Sequence, residues 1–293
     1  MTSDFKLGAV AVIDALGWKG VWRRNESADV LATLDRVGDA LREGAKATNA
    51  AQIRLMYGSP WPEPVTTEVL FFSDTIVIAA WVEKPKSVDD IVFLDRFETT
   101  PEAVEGATEV VCDALLDMVG RRVAEALRIG ATSDPPLLYR GAMTKGDLLV
   151  DGTRFLGEAI DQAASFMDAA DAAMVWVPPS TDYPPTDIVS GIHTVEYAVP
   201  VKRTGGGAPR LCAQVVNPFL MCREQFEADR VEAGFIRAFS KPPTSDLGVV
   251  SKYQETMKFL KAARAAWEEL VEKDMLPPST DQLRRVPAPS ADG

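Results

Sequence analysis

Two aspartates stand at the ends of apolar stretches that have the composition of buried strands. Asp14 follows a β-branched run at residues 7–13, and Asp74 lies between strand-like segments at 66–72 and 76–82. If these strands are neighbours in one sheet, both carboxylates emerge at the same edge. Because two adjacent carboxylates repel each other, a pair of divalent cations is the usual compensation. The pattern predicts a site for two Mg²⁺ or Mn²⁺ ions; the alternative is that each aspartate only stabilises a turn.

Residue types that other catalytic sites need are scarce in this chain. There is one histidine, His193, and there are three cysteines, Cys112, Cys212 and Cys222. A multi-histidine zinc site cannot be built within one chain, although a Ser-His-Asp hydrolase needs only one histidine. The odd cysteine count without a CxxC pair favours thiols of a reducing compartment over a disulfide framework. Catalysis would therefore depend on carboxylates, which hold hard cations through oxygen.

The charge balance limits the kinds of partner. The 293 residues include 43 acidic and 31 basic side chains, for a formal net charge of −12. This surplus argues against a broad surface for a nucleic-acid polymer or an anionic membrane, which both require clustered positive charge. No apolar run reaches the roughly 18–20 residues of a membrane span, and the N-terminus lacks a signal-peptide pattern. We therefore expect a cytoplasmic protein without a nucleic-acid or membrane partner.

The hydrophobic periodicity predicts helices and strands that mix without strict alternation. Amphipathic spacing indicates helices at residues 26–49, 101–128, 155–172, 224–239 and 251–273. Short β-rich runs indicate strands at 7–13, 66–72, 76–82, 137–144, 148–150, 173–177, 194–199 and 211–216. This order favours an α+β fold, an antiparallel sheet with flanking helices.

Two hairpins and one domain division are expected within this order. The hairpin turns are predicted at residues 73–75 and 145–147, where polar residues and glycine interrupt strand-like runs. Residues 1–240 would form the catalytic domain, and residues 241–293 a C-terminal helix followed by a tail rich in Pro, Ser and Asp.

Four segments, in this order along the chain, resemble the class III nucleotidyl cyclases. They are VIDALGW at 12–18, FFSDT at 71–75, YRGAMTKG at 139–146 and FLGEAIDQAA at 155–164. The resemblance implies a ferredoxin-like α+β fold and a homodimer with two active sites at its interface. It also implies that the ribose 3′ oxygen of a nucleoside triphosphate attacks the α-phosphate and that pyrophosphate leaves.

The same resemblance assigns roles to individual residues. Asp14 and Asp74 would bind two divalent cations, with the Ala15 carbonyl as an additional ligand. Arg140 would pair with a phosphate group, for which a planar guanidinium offers two aligned donors. Backbone N–H groups of the turn would contact the triphosphate; the residues of that turn are Leu16, Gly17 and Trp18.

Several positions depart from the adenylate cyclases of this family. Where those enzymes recognise adenine with a Lys and an Asp, this chain has Leu70 and Arg154. The Asn and Arg that orient the ribose and stabilise the transition state correspond to Asp161 and Ser165. These departures argue against adenine recognition by the usual pair of residues.

The run at 72–78 and the Arg-Gly-Ala turn at 140–142 are similar to the pyrimidine cyclases of Pycsar antiphage systems. Those enzymes make cyclic CMP or cyclic UMP as a signal for a separate effector protein. Because Arg154 offers only donors and uracil presents acceptor oxygens, UTP is favoured over CTP if Arg154 reaches the base. Tyr57 is a candidate for stacking on the single-ring base, or else a loop-packing aromatic.

Three alternatives to a uridylate cyclase remain open on this sequence. The chain could be a cytidylate cyclase that makes cyclic CMP. It could be a class III cyclase that selects a purine in an unusual way. It could also be a cyclase-like nucleotide sensor without turnover, as the residues at 161 and 165 would allow.

Overall fold

The fold is given by a computed structural model. It describes residues 5–16, 21, 23–49, 53, 61, 63–84, 101–152, 154–181, 194–202, 209–240 and 247–276. None of the helices within these ranges combines the length and the apolar character needed to cross a bilayer.

The described residues form eight strands, five α-helices and a short 3₁₀ turn at Pro179–Thr181. The strands are β1 Lys6–Ala15, β2 Thr66–Phe72, β3 Thr75–Val82, β4 Tyr139–Asp151, β5 Arg154–Leu156, β6 Val175–Val177, β7 Thr194–Pro200 and β8 Arg210–Val216. The helices are α1 Ser27–Thr48, α2 Pro101–Thr132, α3 Glu158–Phe166, α4 Gln225–Phe239 and α5 Leu247–Glu272.

These strands join in one sheet with the order β2-β3-β1-β4-β6-β8-β7, and β5 pairs with β4 outside this path. Each neighbouring pair among the first four strands is antiparallel, and with α1 and α2 these strands form the βαββαβ order of a ferredoxin-like fold. The pair β4–β6 is parallel, so the complete sheet is mixed. The predicted α+β fold is confirmed.

The two faces of the sheet are covered unequally. Alternate residues of β1, such as Ala9, Ala11 and Ile13, point into a large core beneath α1 and α2. The intervening Val10 and Val12 face the opposite side, where α3 packs through small side chains. Helix α3 has nine residues, so this second face is covered over a short length only.

A second core cluster joins the far half of the sheet to the two C-terminal helices. Its members are all at most 8% exposed and include Trp176 of β6, Phe235 of α4, and Phe259 and Trp267 of α5. Helix α5 therefore contributes large apolar side chains to the interior of the domain.

Thr256 of α5 also makes a polar connection to this interior. Its side chain is fully buried, and its Oγ1 accepts a hydrogen bond of 2.9 Å from the Ala173 N–H. We expect Thr256→Val to lower the free energy of unfolding by about 1–3 kcal/mol, because the buried N–H loses its acceptor. Thr256→Ser retains the hydroxyl and is the matched control in urea unfolding. Equal stability of Val and Ser variants would contradict this role.

Two predicted elements are wrong. Residues 145–147 do not form a hairpin turn, because β4 continues through them and Gly146 lies opposite Gly8 of β1. The turn lies further on, where Asp151 pairs with Arg154 and β5 begins. The predicted helix at 155–172 is shorter, since residues 155 and 156 belong to β5 and α3 ends at Phe166.

Candidate active site

Asp14 lies near the end of β1, between the two strands that pair with β1. Its register partners are Thr75 of β3 and Arg140 of β4. The Thr75 hydroxyl donates a hydrogen bond of 3.4 Å to Asp14 Oδ1, and Arg140 Nη2 lies 3.6 Å from Asp14 Oδ2. Because partners in register share a face, these three side chains lie together on the face that α3 covers in part.

Asp74 is held beside Asp14 by the β2–β3 turn. Ser73 adopts a positive φ of 63°, and the Asp74 carbonyl accepts a hydrogen bond of 3.1 Å from the Ala15 N–H. The Asp14 pKa is raised by burial and by the Asp74 charge, against the opposing effects of Arg140 and Thr75. The structure therefore brings Asp74 close enough for its charge to act on the partly buried Asp14, while Arg140 acts in the opposite direction.

Arg140 has a mostly buried side chain, with 16% of its surface exposed. In the described part of the chain, its Nε is buried and has no hydrogen-bond acceptor. The Arg140 charge also reaches Asp168, which follows α3 and pairs with Lys202 at 2.8 Å. The pKa of Asp168 is lowered, mainly by the hydrogen bond from Lys202. Arg140 thus acts on both Asp14 and Asp168.

The donor set fits hard divalent cations. The two aspartates supply carboxylate oxygens, which are the ligands that Mg²⁺ and Mn²⁺ prefer. Among the residues that the structure describes, no group of three or more His, Cys, Asp or Glu side chains forms a closed cation site. Cations here would therefore need backbone carbonyl, water or substrate oxygens to complete their coordination.

The remaining predicted site residues are placed as follows. Ala15 is buried at the end of β1, and the Leu16 N–H donates a 2.7 Å hydrogen bond to the Leu138 carbonyl. That N–H would have to leave this bond to contact a phosphate. Arg154 at the start of β5 and Asp161 on α3 are both exposed. The other three predicted positions, Gly17, Trp18 and Tyr57, lie outside the described residues.

Two members of the site were missed from the sequence. Thr75 lies in the predicted hairpin, but its hydrogen bond to Asp14 follows from the strand register, which a single sequence does not show. Asp168 falls within the predicted long helix, and its partner Lys202 is 34 residues further along the chain. Nothing in the sequence around Lys202 indicates the acid that it meets.

Comparisons with known proteins give solved structures only. No family model and no curated protein matches the chain. The catalytic core of a rhodopsin-guanylyl cyclase with converted specificity, in complex with ATPalphaS, is 12% identical with a TM-score of 0.43; 72% of this chain and 96% of that chain are covered. The guanylate cyclase domain of RhGC from Catenaria anguillulae, in complex with GTP, is 14% identical with a TM-score of 0.39 and the same two coverages, 72% and 96%.

The adenylyl cyclase CyaB from P. aeruginosa is 13% identical with a TM-score of 0.37, over 74% of this chain and 96% of that chain. These three solved structures are guanylyl and adenylyl cyclase domains.

Proposed function

We propose that this chain is a metal-dependent nucleotidyl cyclase that converts UTP to 3′,5′-cyclic UMP and pyrophosphate. The observation that carries the proposal is the meeting of Asp14, Asp74 and Arg140 at one edge of the sheet. Two carboxylates beside a guanidinium suit a substrate that brings both cations and phosphate oxygens to the site. The order of the four cyclase-like sequence segments supports the same reaction.

The residues divide the work of this reaction between charge and position. Bound between Asp14 and Asp74, two Mg²⁺ or Mn²⁺ ions would neutralise the triphosphate and favour deprotonation of the ribose 3′ hydroxyl. Arg140 would donate to a phosphate oxygen through nitrogens that include the unpartnered Nε. Thr75 keeps the Asp14 carboxylate oriented by its hydrogen bond. The proposed reaction would then depend on the position of the substrate and on charge compensation, and not on a proton-transfer side chain.

Base selection is the finer part of the proposal. Leu70 of β2 is partly buried against the apolar cluster beneath α3. Because its side chain is apolar, it offers no hydrogen bond to a purine edge. Arg154 is exposed at the start of β5 and supplies only donors. A donor at this position suits the O4 oxygen of uracil. By the sequence resemblance, cyclic UMP would act as the signal for a separate effector protein in antiphage defence.

A homodimer with sites at the interface is part of the same proposal. The face that α3 leaves partly uncovered carries the exposed apolar side chain of Phe72, which is 57% exposed and is the register partner of Thr75 beside Asp14. A second copy of the chain would cover such a surface. It would also bring Arg154 and Asp161 of one subunit toward the Asp14 edge of the other.

The decisive experiment supplies each of the four nucleoside triphosphates with Mn²⁺ to the purified chain and identifies the products by mass spectrometry. Cyclic UMP with pyrophosphate is the expected product. Cyclic CMP would move the base assignment to cytosine, and cyclic AMP or GMP would make the chain a purine cyclase. Nucleotide binding without pyrophosphate release would replace the catalytic proposal with a sensor.

Charge reversal at Arg154 tests base selection separately from catalysis. We expect Arg154→Glu to shift the preference from UTP toward CTP by roughly 10-fold or more, because a carboxylate accepts from the cytosine amino group and repels O4 of uracil. The ratio of kcat/KM values for the two substrates measures this shift. Arg230→Glu changes an exposed arginine on α4 and is the matched control. An unchanged ratio in Arg154→Glu would remove Arg154 from the base site.

A further inference from the structure

Three arginines surround a buried cysteine on the side of the domain where α2, α4 and α5 meet. Cys222 is fully buried in the turn between β8 and α4, and its thiol pKa is raised by burial to about 12. Charges of Arg128, Arg223 and Arg264 all act on this thiol, together with one acid, Glu227. The thiol is neutral near pH 7 and does not balance the three cations, of which Arg264 is paired with Asp229 and Glu268.

The helix packing explains why Arg128 reaches this position. The Ala131 carbonyl lies so close to Gly234 of α4 that a Cβ there would overlap it. Just after the end of α2, the Ser133 carbonyl accepts a 3.4 Å hydrogen bond from Arg237. The later residue of each pair of contacts is later on both segments, so α2 and α4 run in the same direction where they meet. Arg128, three residues before Ala131, is therefore level with Val231 of α4, and its long side chain leans toward the N-terminal ends of both helices.

Arg264 is anchored from α5 in a fixed orientation. Its guanidinium lies over the rings of Phe219 and Trp267, with centroid distances of 5.4 and 5.0 Å. Nη2 pairs with Asp229 at 2.7 Å, and Nε pairs with Glu268 at 3.1 Å. These pairs leave Nη1 as the remaining donor nitrogen of a side chain that is 12% exposed.

Each of the three arginines keeps one buried nitrogen without an acceptor in the described part of the chain. These nitrogens are Nε of Arg128, Nη2 of Arg223 and Nη1 of Arg264. Glu227 is not an acceptor for these nitrogens. Its Oε2 accepts instead the backbone N–H groups of Arg223 at 2.5 Å and Glu224 at 3.3 Å. A buried N–H without an acceptor costs about 1–3 kcal/mol, so three of them at one junction indicate a missing acceptor.

We infer that Arg128, Arg223 and Arg264 form a second binding site, for a small phosphate-class oxyanion, between α2, the turn before α4, and α5. Guanidinium groups are pure donors and stay charged, so a ligand rich in acceptors and in negative charge suits them. A single water offers two lone pairs, whereas a phosphate group offers several oxygens. The site contains none of the residues proposed for cyclisation, so it stands or fails independently of the proposed activity.

Thermal unfolding of the full chain tests this site, with EDTA present so that metal at the aspartates does not recruit phosphate. At constant ionic strength, replacing chloride by inorganic phosphate should raise the Tm of the unaltered protein by roughly 2–4 °C. Arg223→Gln should lose this rise, because Gln keeps part of the stem and removes the charge. Arg230→Gln, at an exposed position, should keep it. Arg140→Gln should also keep it, since Arg140 belongs to the other site.

The outcomes distinguish binding at this site from an unspecific effect of phosphate on the Tm. A Tm that responds to phosphate no more than to chloride overturns the inference, as does an Arg223→Gln variant that responds like the unaltered protein. If Arg223→Gln does not fold, Arg128→Gln takes its place under the same criterion. A response to inorganic phosphate but not to uridine monophosphate identifies the free anion as the ligand. A response to both identifies the phosphate group of a larger molecule as sufficient.

Discussion

Asp74→Asn should lower pyrophosphate release from UTP by at least about 100-fold, because a cation at the site is worth several kcal/mol of charge stabilisation. The substitution keeps the size of the side chain and removes one of the two carboxylate charges. It should leave the fold intact, since the contact that fixes this turn is the Asp74 carbonyl with the Ala15 N–H. Single-turnover kinetics with UTP and Mn²⁺ measure the loss, and thermal unfolding measures the stability.

Asp35→Asn is the matched control for this experiment. Asp35 is exposed on α1 and lies in none of the segments that carry the cyclase resemblance. Its amide variant should release pyrophosphate at the unaltered rate. Turnover retained in Asp74→Asn would falsify the assignment of Asp74 as a cation ligand, whatever the product of the unaltered protein proves to be.

Gly141→Ala should destabilise the domain by roughly 1–3 kcal/mol or more, through overlap within the centre of the sheet. Gly141 lies on β4 directly opposite Ile13 of β1. A Cβ at this position would overlap the Val12 carbonyl oxygen and lie 2.8 Å from Ile13 Cα. Both are backbone atoms of a strand that is paired on two sides, so they have little freedom to move. A fall in Tm of several degrees in thermal unfolding is expected.

Gly106→Ala provides a control with the opposite sign. Gly106 lies on an exposed part of α2, and a Cβ there would meet no atom within 4 Å. Alanine is the better helix former, so this variant should gain about 0.5–1 kcal/mol. If Gly141→Ala were as stable as the unaltered protein, the close approach of β1 and β4 would have to be wider than the structure gives.

The two incorrect elements show where local pattern stops being informative. The Lys-Gly-Asp sequence at 145–147 has the composition of a turn, yet β4 continues because β1 pairs with it over ten consecutive positions. A Cβ on Gly8 would approach Leu148 Cβ to 2.9 Å, so glycine on β1 leaves room for the β4 side chain. The decisive partner lies more than a hundred residues away, which local periodicity does not register.

The site was only partly predictable, because a sequence shows where strands end but not which strands pair. Strand ends can be located from apolar runs, which is how Asp14 and Asp74 were selected, and the segment YRGAMTKG at 139–146 pointed to Arg140. Their meeting required the strand order β3-β1-β4, which follows from tertiary pairing. The pair of Asp168 and Lys202 required in addition the end of α3 and the edge of β7 to be neighbours, as the Lys202 N–H to Ala169 carbonyl bond of 2.8 Å records.

The proposed cation ligand Asp14 and the proposed base-selecting Arg154 lie on strands that differ in how readily they open. β1 is hydrogen-bonded along both edges, so its amides should exchange with solvent only when the domain opens as a whole. Arg154 sits instead on a three-residue strand paired with β4 alone, which local fraying can release. In the proposed site, cation binding would thus depend on the strand that opens least readily, and base choice on a short peripheral strand. Substrate preference could drift over evolutionary time while the carboxylate frame stayed constant.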